Sequence, residues 1–399
     1  MPEPIASTAF AIIHPYCSMP PRYFLWFFRS PVFVRYVESV QMGIAYPAIN
    51  DGQFFSGLTP LPPLNEQHRI VAKVDELMAL CDQLEAQHNN VAEAHEKLVS
   101  HLLGTLTQSQ NAEDFSANWQ RISAHFDVLF TTEASIDALK QTLLQLAVIG
   151  KLVPQDTNDE PANELLKRIQ AEKAKLIAEG KLKKEKLLAP ISEDEKPFEL
   201  PKGWEFARLH KLGKLENGDR GKNYPNKDAL VQEGVPFVNA GHLVNGFVNK
   251  SEMTFITDER YSLLSGGKFT ENDILFCLRG SLGKCAIVKG ISKGAIASSL
   301  VIIRVNSNIH LDYFYHYLIS NLLMQSVRKY DNGTAQPNLS STDLAKFVLP
   351  IPPVAEQHRI VAKVDELMAL CDHLSTRIQQ ARQQLQLIAD ALVAQAVTA

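Results

Sequence analysis

The chain has 399 residues, 45% hydrophobic and 21% charged, with a formal net charge of −4. That length holds two or three domains with cores of their own, that composition excludes a disordered polymer, and no apolar run approaches the roughly 20 residues of a membrane span. The mild acidity argues against a generic polyanion binder, and with no secretory leader pattern the expected location is the cytoplasm.

The first 60 residues contain an aromatic, helix-compatible run, YFLWFFRSPVFVRYV, broken by Arg29 and Pro31. The segment EQHRIVAKVDELMALCD follows at 66–82 and returns unchanged at 356–372, 290 residues later. The same offset brings Tyr23 and Phe24 onto Tyr313 and Phe314, and Pro60 onto Pro350. The duplicated unit therefore runs from about residue 10 to 107 and again from about 300 to the end. In each copy apolar residues alternate at spacings of four and three: Ile70, Val74, Leu77, Cys81 and Leu84, then Ile360, Val364, Leu367, Cys371 and Leu374. This is a coiled-coil seam. The double proline upstream bars the helix from starting before about Asn65 or Ala355, and of these only Asn65 can cap. The five cysteines include no C-x-x-C pair and read as small buried hydrophobes in a reducing compartment.

Between the copies, TTEASIDALKQTLLQLAVIG reads as a helix with Ile136, Leu139, Leu143, Leu146 and Ile149 as its stripe and Gly150 as its stop. Residues 162–188 have the polarity of an exposed helix or strap, and APISEDEKPFELPKGW reads as a linker closed by Trp204. From there to Pro350 short β-rich runs alternate with Gly, Asn and Lys loops, as in a separate mixed domain. Residues 201–350 carry 18 Lys and Arg against 13 Asp and Glu, so a basic domain rides on an acidic remainder. A solvated surface explains such an excess as readily as a phosphate partner does.

Catalytic motifs are missing: there is no Walker A loop, no G-x-S-x-G elbow and no H-E-x-x-H. Three polar loops carry the chemistry that remains. ENGDRGKNYP presents Arg220, Lys222, Asn223 and Tyr224; LRGSLGK presents Arg279, Ser281 and Lys284; DNGTAQPNLS presents Asn332, Thr334, Gln336 and Asn338. Arg, Asn and Gln suit bidentate contacts to base edges, while Lys and Ser suit phosphate. Asn239, which closes the run VPFVN, joins this candidate DNA-binding set. On the repeated helix, packing alone does not hold polar residues identical, so Gln67, Arg69 and Lys73 with Gln357, Arg359 and Lys363 are candidate partner-binding residues. Tandem duplication without shared function remains the alternative.

The segments QPNLSSTDLAKFVLPIPPVAEQHRIVAKVDELMALCD, TTEASIDALKQTLLQLAVIGKLVPQD, ELLKRI and FELPKGWEFARL closely resemble the specificity subunit of type I restriction-modification systems. The resemblance implies an α+β chain with mixed α/β target recognition domains joined by long antiparallel coiled-coil helices. It implies a non-catalytic subunit that binds double-stranded DNA and directs adenine methylation and restriction to a bipartite target. It would do so with two methyltransferase subunits and two restriction/translocase subunits. No cofactor would sit on this chain, since the partners would use S-adenosylmethionine, ATP and Mg. The expected divisions are 1–60, the C-terminal remnant of a first recognition domain; 61–107, the first copy of the repeated helix; 108–190, a central helical region and linker; 191–350, a complete recognition domain; and 351–399, the second copy. The family pattern also leads one to expect that the front of the chain is truncated and its aromatic run bared. A half subunit serving as a methyltransferase scaffold, completed by self-association or a second chain, is the alternative function.

Overall fold

The computed structural model describes residues 12–16, 18–43, 47–180, 188–331, 333 and 337–398. It divides into two compact units, 1–95 and 96–399, with the boundary inside one long helix.

In the first unit, helices α1 (Pro21–Phe28), α2 (Pro31–Val40) and α3 (Asp51–Phe55) precede α4 (Leu64–Thr107), whose residues to His95 belong here. Prolines at the first turns of α1 and α2 preset the helical φ where no N–H is needed, and Ser30 accepts the Phe33 N–H as a cap. Rings of Phe28, Phe33 and Phe54 meet at 4.8 to 5.3 Å and tie the three short helices together. Within this run Leu25, Val32 and Val34 are exposed, while Phe24, Trp26, Phe27 and Phe28 are half-buried and Tyr23 and Phe33 buried, so its aromatic rings are not bared.

The second unit adds α5 (Ala112–Ser123), α6 (Phe126–Leu129), α7 (Glu133–Val148), α8 (Ala162–Ala178), α9 (Leu209–Leu212), α10 (Asp258–Leu263), α11 (Leu311–Leu318), α12 (Asn321–Tyr330), α13 (Ser341–Leu344) and α14 (Val354–Thr398). Its strands are β1 (Glu205–Arg208), β2 (Gly213–Asn217), β3 (Val235–Val238), β4 (Leu243–Val244), β5 (Phe247–Val248), β6 (Thr254–Ile256), β7 (Lys268–Thr270), β8 (Ile274–Cys277), β9 (Cys285–Ile287), β10 (Lys293–Ile296), β11 (Leu300–Val305) and β12 (Val348–Ile351). Among the described residues they form a six-stranded sheet in the order β2-β11-β8-β9-β5-β4, a four-stranded sheet β6-β3-β10-β7, and the antiparallel pair β1-β12. One face of the six-stranded sheet packs on α8, α9, α11 and α12 through Phe276, Val301, Ile303, Phe314 and Tyr317. Helix α8 is thus no free strap, because Ala162, Leu165 and Ile169 are buried.

Helix α7 forms where its sequence predicts. Thr132 and Ser135 close a reciprocal capping box, and Gly150 ends the helix at φ +75°. A side chain at Gly150 would collide with Pro201 and Trp204, so the stop also makes room for the indole. The antiparallel partner of α14 is α7: Lys140 meets Asp372 at 2.6 Å, and Glu133 lies against Gln379 and Arg382 near the other end. The α14 seam of Ile360, Val364, Leu367 and Cys371 is fully buried.

The α4 seam is half-buried at Ile70 and Val74 and exposed from Leu77 on. Leu77 is 48% and Leu84 55% exposed, where their copies Leu367 and Leu374 are 0% and 6% exposed. The expectation that all cysteines are buried fails at Cys81, which is exposed for the same reason; Cys17 lies outside the described residues. The expected cap also needs correction. Helix α4 opens at Leu64, so Asn65 falls inside the first turn, and the Pro63 carbonyl accepts the Glu66 and Gln67 N–H groups.

Candidate nucleic-acid interface

The three loops singled out in the sequence are hydrogen-bonded into one surface at the end of the six-stranded sheet. Arg220 donates to the Ser298 carbonyl at 3.3 Å, and the next residue, Ser299, accepts the Leu278 N–H at 2.8 Å. The second and third loops are then laced by Leu339 N–H to the Leu278 carbonyl (2.9 Å) and Gly280 N–H to the Pro337 carbonyl (3.1 Å). Arg279 and Asn338 form a β-bridge, and Arg279 Nε donates to Asn338 Oδ1 at 3.1 Å. Asn217, the second residue of the first loop, donates to Ser341 Oγ, just after the third. Stretches more than 100 residues apart in sequence thus share one edge.

Within this surface Arg220, Lys222, Arg279, Ser281 and Lys284 are exposed. Asn223 is half-buried and donates to the Leu263 carbonyl, and Tyr224 packs its ring on Phe237 at 5.9 Å. Asn239 accepts the Gly241 N–H at 2.8 Å and caps a short turn. Asn332, Thr334 and Gln336 lie outside the described residues.

Sequence reasoning missed what shapes these loops. Asp219 and Asp331 each accept the N–H two residues on, at Gly221 and Gly333, and Asp219 also takes the Ser265 N–H and hydroxyl. The backbone donors hold both carboxyls below their ordinary range, Asp219 chiefly through Gly221 and Asp331 chiefly through Asn338. With Asn239 these are three Asx turns of the pattern Asp/Asn-x-Gly, a signal readable in DRG, DNG and NAG. Among the described residues no cluster of His, Cys, Asp and Glu is arranged to hold a metal ion, and no helix is long and apolar enough to cross a membrane.

The partner-binding candidates fall into two groups. Gln67 and Gln357 are buried, and each donates its amide to the first carbonyl of its double proline, Pro62 or Pro352. That burial removes both from any surface. Arg69, Lys73 and Lys363 stay accessible, the two lysines pairing with Glu76 and Glu366, while Arg359 pairs with Asp159 at 2.6 Å.

Residues 9–94 and 201–383 match the family described as the type I restriction modification DNA specificity domain. The chain belongs to that specificity family. It is 42% identical over 386 residues to the EcoAI specificity subunit of a type I restriction enzyme from Escherichia coli, covering 94% of this chain and 64% of the relative. With the EcoEI specificity subunit, also from Escherichia coli, it shares 39% identity over 93% of this chain and 64% of the relative. This specificity-family chain therefore spans 64% of the length of each of those two relatives. A solved chain of a type I restriction-modification system is similar at 18% identity and TM-score 0.49, over 94% of this chain and 70% of its own.

Proposed function

We propose that this chain reads one half of a split double-stranded DNA target with the laced loops of residues 217–341, and presents its long helices to methyltransferase subunits. The carrying observation is the cross-bonding of three loops around exposed Arg220, Arg279 and Lys284 on a net basic domain. Arg279 spends Nε on Asn338 and keeps both terminal nitrogens for a guanine edge, while Ser281 and Lys284 suit the neighbouring phosphates. Preset Asx turns reduce the ordering cost of binding. In this reading the chain performs no catalysis and needs no cofactor. Two methyltransferase subunits would bring S-adenosylmethionine, and two restriction/translocase subunits would bring ATP and Mg. The relatives named as type I specificity subunits support the same reading.

The test is adenine-methylation mapping by single-molecule sequencing in cells expressing this chain with its cognate methyltransferase. A methylated split motif that loses definition at one base pair with Arg279→Ala supports the proposal. Assembly of the complex without any methylation would reduce the chain to a scaffold.

A further inference from the structure

Beside the three laced loops lies a segment that its own sequence does not mark. Residues 262–267, where α10 ends, read SLLSGG and carry no cation. They are nonetheless fastened to the first loop by three of its side chains. Asn223 donates to the Leu263 carbonyl at 3.0 Å, Asp219 accepts the Ser265 N–H at 2.7 Å and its hydroxyl at 2.9 Å, and Glu216 accepts the Gly267 N–H at 3.0 Å. The Gly267 carbonyl in turn accepts the Ile296 N–H at 2.9 Å, two residues before the Ser298 carbonyl that holds Arg220. This approach leaves no room for side chains. A Cβ at Gly267, where φ is +73°, would stand 2.7 Å from Gly218 Cα, and one at Gly218 would stand 2.6 Å from the Ala297 carbonyl oxygen.

Asp219 carries the junction. It is 7% exposed; one carboxylate oxygen takes the Gly221 N–H at 2.6 Å and the other takes both Ser265 donors. One buried carboxylate therefore sets the bend of the first loop and the place of Ser265 together. Two residues before Ser265, Leu263 is 51% exposed. Exposed leucines are common on soluble proteins, but this one has its backbone bonded to the loop that presents Arg220 and Lys222. The thymine methyl is the apolar group that a base edge offers in the major groove, and an exposed aliphatic side chain beside polar readers suits it. From this we infer that residues 262–267 are a fourth reading element, in which Leu263 contacts a thymine methyl and Asp219 is the residue that positions it against the first loop. The inference rests on the proposed reading of DNA by the three loops and names a further base contact within it.

The probe is a duplex carrying the mapped methylation motif, titrated with the full chain assembled with its methyltransferase. A matched set of duplexes replaces each thymine in turn by deoxyuridine, which removes a single methyl. One of these replacements should weaken binding about fourfold, the effect of losing one buried methyl. Leu263→Ala should cost a similar factor, and in that variant the same replacement should have no further effect, because both changes remove one contact. In Asp219→Asn, whichever way the amide turns, a backbone N–H at Gly221 or Ser265 loses its acceptor. That variant should erase the thymine preference at the same position while binding to a scrambled duplex stays within about twofold, since the phosphate contacts are untouched. Equal weakening on both duplexes would strip Asp219 of its positioning role. Arg279→Ala is run alongside. If it relaxes the motif at one base pair while Leu263→Ala leaves every ratio of thymine to deoxyuridine binding as in the parent chain, the fourth element is overturned and the three-loop reading stands. If Arg279→Ala changes neither motif nor affinity, the three-loop reading falls and the fourth element falls with it.

Discussion

Gln357 and His310 are joined by a hydrogen bond that their counterparts in the first copy have no means to make. Gln357 Oε1 accepts the His310 backbone N–H at 2.8 Å. At the equivalent place before α1 stands Pro20, which has no N–H, and the buried Gln67 Oε1 is left without a partner. Gln357→Leu strands a backbone donor and the buried Pro352 carbonyl, and is expected to destabilise by about 1–3 kcal/mol. Gln67→Leu also gives up the bond to the Pro62 carbonyl, but it strands no backbone donor and removes an orphaned acceptor, so it should cost less than Gln357→Leu. Urea denaturation of the two variants checks the difference, and equal losses would sink the explanation.

If the proposed function holds, Arg279 is the side chain that discriminates between base pairs. Its replacement by Ala in the assembled methyltransferase complex should cost roughly 1–3 kcal/mol on the cognate duplex and little on random DNA. Lys284→Ala should weaken both duplexes alike and reduce the salt dependence of binding. Titrations of both duplexes at several salt concentrations separate the two outcomes.

His316 makes the stability of residues 96–399 sensitive to acid. Burial pushes its imidazole down from 6.5 to about 4, partly offset by Asp365 and Asp312. As pH falls below 6.5 the unfolded chain takes the proton while the folded chain refuses it, so stability declines down to about pH 4 and this contribution then levels off. His316→Gln should flatten much of that decline. Denaturation midpoints between pH 7 and 4 test it, and an unchanged slope would show that other groups carry the dependence.

Arg69 and Arg359 should answer charge reversal differently. Arg359→Glu places a third acid beside Asp159 and Glu356, so it should lower thermal stability as well as co-purification with methyltransferase. Arg69→Glu, on an exposed turn, should weaken co-purification with little thermal effect. Intact co-purification of both variants would remove these arginines from the partner surface.

Much of this was legible in the residues themselves. The repeat, the α7 stripe, the Gly150 stop and the three candidate loops all came from local pattern, and the loops came together in space. What pattern could not supply was which face each seam meets. Identical letters at 66–82 and 356–372 fold into identical helices, yet Leu77 is bare and Leu367 buried, because burial is set by residues hundreds of positions away. Asn65 misled for a simpler reason: the Pro63 carbonyl already anchored the first turn. The roles of Asp219 and Asp331 were readable as Asx turns but were overshadowed by the cations beside them.

Trp204 stands at the threshold of β1, yet its side chain belongs to the core built by α7 and α14, seated on Gly150 and bonded to Glu356. Tyr313, from α11, is buried in the same core and bonds the Pro350 carbonyl. The sheet and the helix pair therefore hold side chains in common, and neither can melt without unseating the other. For residues 96–399 this means a single cooperative transition, so that a protease waiting for the β-sheet to open would find the helices opening with it.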